Sequence, residues 1–135
     1  VRVQAHDPDP AAIVAPPRSG RPVFPNGDRI ELMLLDAQER RHYVAVGLNG
    51  HRYALPALKQ PWDAETVVQS DGWVAMIALP LEVFGVGSTN PVLRLRLGRV
   101  FRHAPEARRE STPSGASLYN LHDSFWMQMI IQGKE

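Results

Sequence analysis

The residues of this chain best equipped for recognition chemistry are its three tryptophans and the arginines and carboxylates around them. An indole presents a flat apolar surface on which a ligand ring can stack, and Arg, Glu or Asn side chains hydrogen-bond polar groups at its rim. Trp62, in KQPWDAE, has proline and charged neighbours and reads as a loop residue, either a stacking platform or a cap over one end of the fold. Trp73 falls in the alternating run WVAMIAL and reads as core. Trp126 alternates against Phe125 and Met127, so it belongs to a second sheet face or to solvent. Arg99 and Arg102 can each fork two hydrogen bonds to adjacent hydroxyls or to a carboxylate, the alternative being a structural pair with Glu31 or Glu110. Glu110 and Asn120 complete the polar candidates.

Other chemistries find less support. The five histidines show no i,i+4 pair and no H-E-x-x-H pattern, and with no cysteine there is neither a disulfide nor a thiolate metal site. Asp7, Asp9 and Asp28 are oxygen ligands of the kind a structural calcium ion takes, and equally the residues that cap turns. Calcium is the single metal candidate, and no other cofactor is expected. A nucleophile elbow G-x-S-x-G is absent, STPSG lacks a strand-to-helix setting, and nothing pairs two of Glu31, Glu82 and Glu110 as glycoside cleavage requires. The expectation is a protein that is not an enzyme.

The elements that must position these side chains are strands. In GDRIELMLLD, Ile30, Leu32 and Leu34 alternate with Glu31, Met33 and Leu35, predicting a central strand over 29 to 35. RHYVAVGLNGHRYAL predicts a hairpin turning at Asn49-Gly50. ETVVQS, Asp71-Gly72 and WVAMIAL spell a second hairpin with a type I′ turn, after which Pro80 ends the pairing and PLEVFG makes one helical turn closed by Gly85. Leu93, Leu95 and Leu97 alternate with Arg94 and Arg96, a strand expected to be half-buried with one solvated face. Arg99 keeps the leucine parity, so either a bulge near Gly98 shifts the register or a guanidinium points inward and needs a partner. Residues 6 to 27 and 103 to 124 read as long loops, and FWMQMII as a closing strand. Short strands with turn signals between them and no long amphipathic helix predict an all-β antiparallel sandwich filling residues 1–135 as a single domain.

The net charge of +1 with scattered basic residues lacks the electrostatic footprint of a nucleic-acid binder. No run of about 18 apolar residues is present, so no helical membrane span is expected. The first residue is Val1 and no apolar signal region follows, the pattern expected of a piece processed or excised from a longer protein.

Taken in order, HDPDPAAIVA, GDRIELMLLD, YVAVGLNG, DGWVAMIALPLEVFG, LRLGRVFRHAPEARREST and LHDSFWMQMII resemble the family 9 carbohydrate-binding modules and their wider relatives over nearly the whole chain. The resemblance implies a jelly-roll β-sandwich that binds oligosaccharide or polysaccharide as an accessory domain of a bacterial protein that is secreted, periplasmic or held at the cell envelope. It matches Arg99 and Arg102 to the family's arginine region and places Tyr119, Asn120 and His122 beside the last strand, where such domains complete a binding surface. One position departs: where relatives carry W-x-x-E, this chain has Met76, which removes an acidic group expected near the ligand. Two alternatives follow, an accessory sandwich that has lost sugar binding, or a haem-binding domain of related architecture using Met33, Met76, Met127 or His122 as axial ligands.

Overall fold

The computed structural model describes residues 1–6, 27–87, 89–101, 109–111 and 127–130. Among these, the strands in chain order are β1 (Arg2–His6), β2 (Arg29–Leu35), β3 (Arg41–Gly47), β4 (Arg52–Leu55), β5 (Asp63–Gln69), β6 (Gly72–Ala78), β7 (Val92–Phe101), β8 (Arg109–Ser111) and β9 (Met127–Ile130). They form two antiparallel sheets: a small one in the order β1-β6-β5, and a large one in the order β4-β3-β2-β7-β8, with β9 also paired to β7. The expected all-β antiparallel sandwich is present. No helix among the described residues is long and apolar enough to cross a membrane.

Strand alternation explains how the layers meet. Ile30, Leu32 and Leu34 of β2, Val44 and Val46 of β3, and Leu93 and Leu95 of β7 face Val3, Ala5, Trp73, Ala75 and Ile77 of the small sheet in one buried cluster. Trp73 is completely buried there, and its indole N–H has no hydrogen-bond partner among the described residues. β2 is the expected central strand, and all seven of its residues are buried. Glu31 and Met33 are therefore buried on the face turned away from the small sheet.

Two expectations about β7 resolve. Its register against β2 runs unbroken from Arg29 opposite Val100 to Leu35 opposite Arg94, so there is no bulge at Gly98. Arg99 points inward, opposite Ile30, and Arg99 Nη1 donates to the His6 carbonyl at the end of β1, tying the large sheet to the small one. The expected solvated arginine face is present only in part: Arg94 is partly exposed and pairs with Glu39, whereas Arg96 is only 1% exposed, and that burial pulls its pKa below the ordinary arginine value. The outer face of the large sheet is closed where Arg96 lies, which alternation alone does not reveal.

The turns are built by specific residues. In the β3–β4 hairpin Gly50 N donates to the Gly47 carbonyl, so the turn is centred on Leu48-Asn49, one residue before the expected Asn49-Gly50, and of that pair Gly50 takes a positive φ, 77°. In the β5–β6 hairpin Gln69 stands opposite Gly72, which centres the turn on Ser70-Asp71. Neither Ser70 nor Asp71 has a positive φ, so the expected type I′ turn at Asp71-Gly72 is not formed; Gly72, at φ 146°, instead opens the returning strand. Pro80 precedes a single 3-10 turn (Leu81–Phe84) closed by Gly85 in the left-handed region, as its sequence predicts.

That 3-10 turn holds the β2–β3 connection. Ala37 N donates to the Phe84 carbonyl at 2.9 Å, and the His42 and Phe84 rings meet edge to face with centroids 5.1 Å apart. A Cβ on Gly85 would come within 2.7 Å of the Ala37 Cβ, at a φ of 65° that a side chain already disfavours. We expect Gly85→Ala to lose at least about 1–2 kcal/mol in urea unfolding.

Asp36, with its side chain fully buried, organises the same connection. Its Oδ1 accepts from the Gln38 and Arg40 backbone N–H groups at 2.9 Å each, and its Oδ2 lies 2.8 Å from Arg40 Nε and 3.0 Å from His42 Nε2. Burial by itself raises the carboxyl pKa, but the bonds from His42, Arg40 and Gln38 outweigh it and bring the value from 3.8 to about 2. A depressed carboxyl pKa contributes stability that is complete above about pH 4 and is lost as pH falls through about 2. Asp36→Asn is therefore expected to cost about 2 kcal/mol at neutral pH. The gap to the parent protein should close between about pH 4 and 2 in urea titrations run at a series of pH values.

Candidate functional site

The two sheets come together where β4 of the large sheet and β5 of the small one begin, and Trp62 sits at that junction. Trp62 is half-buried and packs against the edge of the core. The loop before it is anchored by Gln60 Nε2, which donates to Glu82 Oε2 at 3.1 Å on the 3-10 turn. Arg52, the first residue of β4, places its guanidinium 5.7 Å from the centroid of the Trp62 ring and pairs with Asp63, the first residue of β5. Trp62, Arg52 and Asp63, with Ala78, Leu79 and Pro80, line an open depression of about 490 Å³. Trp62 therefore covers the end of the core with one part and lines a surface recess with another.

The Arg52 contact leaves the ring reachable. Its side chain is 44% exposed and that of Asp63 is 72% exposed, so this is a surface ion pair worth no more than about 1 kcal/mol. A cation–π contact at such an exposed site adds about 0.5–1 kcal/mol. A ligand that stacks on the indole and takes hydrogen bonds from the freed guanidinium can displace both.

A second depression, of about 400 Å³, adjoins the first and shares Asp63 and Ala78 with it. It lies on the outer face of the small sheet, where Met76 is 43% exposed. The register puts Arg2 of β1 and Glu65 of β5 directly opposite Met76 on its two sides. Position 76 itself carries no acidic group, and the carboxylate opposite it is Glu65 on the neighbouring strand.

A separate ionic cluster occupies the outer face of the large sheet. Glu31 Oε1 accepts from Arg29 Nε and from the Tyr43 hydroxyl, both at 2.7 Å, with Arg29 and Glu31 only 2% and 1% exposed. Arg96 stands opposite Met33 in the next strand, so it is a diagonal neighbour of Glu31 on this face. An Arg99–Glu31 pair is ruled out by register, since Arg99 shares the face of Ile30 and Glu31 points the other way. Glu110 stands opposite Val100, one position from Arg99.

Of the other candidates, Asp28 is fully buried just before β2, and among the described residues no group of three or more His, Asp or Glu is placed to hold a metal ion. Asp7, Asp9, Arg102, Tyr119, Asn120, His122 and Trp126 lie outside the described residues. Met33 and Met76 are on the outer faces of different sheets and cannot share an iron. Sequence reasoning missed Arg52, Asp63, Arg2 and Glu65. Asp63 adjoins Trp62 and could have been found from that alone, whereas Arg52 and Arg2 reach the site through strand pairing, which leaves no local signal.

The fold and this recess define an antiparallel β-sandwich domain with an aromatic, ion-flanked depression at one end of its sheets. No family model matches the chain, and no curated protein or solved structure matches it either.

The two sites differ in what they do for stability. Removing one partner of a buried pair leaves an uncompensated charge at a cost of about 3–5 kcal/mol. Glu31→Ala should therefore lose that much in chemical denaturation, while Arg52→Ala, which removes an exposed pair and an exposed cation–π contact, should lose less than about 2 kcal/mol.

Proposed function

We propose that this chain is a non-catalytic carbohydrate-binding module of jelly-roll type, similar to the family 9 modules, serving as an accessory domain of a larger extracytoplasmic bacterial protein. The single observation that carries the proposal is Trp62 in an open recess flanked by Arg52 and Asp63. This combination gives the C–H face of a sugar an apolar surface and gives its hydroxyls a donor fork and an acceptor. Asp63 and Glu65 project from one strand rather than facing each other across a cleft, which favours binding over glycoside cleavage.

A second reading, an accessory sandwich without a ligand, draws on the position of Arg52 over the ring. Isothermal titration against neutral mono- and oligosaccharides separates the two. Binding heat in the parent protein, abolished in Trp62→Ala while the fold is retained by circular dichroism, is the expected result. Absence of heat with every glycan, both in the parent and in Arg52→Ala, overturns the binding proposal in favour of the second reading.

A further inference from the structure

We infer that the groove holds more than one sugar ring: the recess at Trp62 continues over Met76, and the whole accommodates a neutral oligosaccharide. This inference rests on the carbohydrate-binding reading above.

The two depressions share Asp63 and Ala78, which are paired across β5 and β6, so they form one continuous surface. Met76 lies two residues before Ala78 on the same face, a displacement of about 7 Å along the strand, and Trp62 lies beyond Ala78 on the other side. The surface is therefore longer than one pyranose ring. Its two floors are apolar and differ in kind, a rigid indole at one end and a flexible, polarizable thioether at the other.

The polar groups at the rim are of both signs. Arg52 pairs with Asp63 beside Trp62, and Arg2 and Glu65 flank Met76 from opposite sides. The side chains, two guanidinium groups and two carboxylates, balance in charge, and the Val1 ammonium at the Met76 end, bonded to the Ile77 carbonyl, adds one positive charge. A polyanion such as a uronic acid polymer meets two carboxylates on β5, whereas a neutral sugar finds donors and acceptors for its hydroxyls in both halves. Met76 stands exposed with an arginine on one side and a glutamate on the other. The same arrangement presents a hydrophobic floor between a fork of donors and an acceptor.

The test is titration calorimetry with neutral oligosaccharides of one to four rings in two linkage series, cello- and malto-oligosaccharides, with oligogalacturonates as the anionic comparison. In at least one series the expected result is affinity rising about tenfold or more from one ring to three. In Met76→Thr and in Glu65→Gln, both at exposed strand positions, that ratio should fall below about threefold. If the parent binds single sugars through Trp62 with no gain from added rings, the extended groove is wrong and the Trp62 reading stands. A gain that survives in both variants, or oligogalacturonates binding more tightly than the neutral series, also overturns the inference. No heat with any sugar overturns both.

Discussion

The interaction on which the architecture rests is the hydrogen-bonded ion pair inside β2. This strand is central to the large sheet and buried on both faces, so its polar residues must be satisfied by one another or by their neighbours in the sheet. Ile30, Leu32 and Leu34 meet the small sheet, while Arg29 and Glu31 are buried behind it. An isolated carboxylate at that depth would cost several kcal/mol, and Glu31 is tolerable there because one of its oxygens accepts from both Arg29 and Tyr43. The β2–β3 register follows from the same contact, since a slip of one residue would carry Glu31 into the hydrocarbon layer facing Trp73.

From that strand the rest of the molecule is placed by pairing. β3 and β7 flank β2, β4 continues outward from β3, and the connection after β4 crosses to the small sheet where β5 begins. Arg52 and Asp63 are the first residues of the strands on either side of that crossing. The recess at Trp62 is thus a product of topology, since it forms where the chain changes sheets. The opposite corner is closed by Arg99, which reaches from β7 to the carbonyl of His6 and uses an inward guanidinium as a tie between layers.

Much of this was legible in the sequence, and the failures share a cause. Strand alternation located β2, the β3–β4 hairpin, β5 and β6, and Pro80 and Gly85 marked the 3-10 turn, because each of those signals is local. The turn at Ser70-Asp71 was displaced by one residue because Gly72 suits a positive φ both inside a turn and as the first residue of a strand. Arg96 read as solvated because alternation separates two faces without saying whether a face is covered. Trp62 could be singled out from its neighbours, but its companions could not. Arg52 lies ten positions away and Arg2 sixty, and only the folded pairing brings them to the groove.

The β5 strand has one further property of importance to that groove. Among the described residues it pairs along one side with β6 and stands at the end of the small sheet, with Val67 and Val68 exposed. Thr66 Oγ1 donates to the Leu48 carbonyl in the β3–β4 turn at 2.6 Å, fastening this margin to the opposite layer. A hydroxyl bond worth about 1 kcal/mol thus joins the Arg52–Asp63 pair in holding the wall that carries Asp63 and Glu65. Amide exchange along this wall would then report on both fastenings, and the rigidity of the recognition surface would be set in part from the neighbouring sheet.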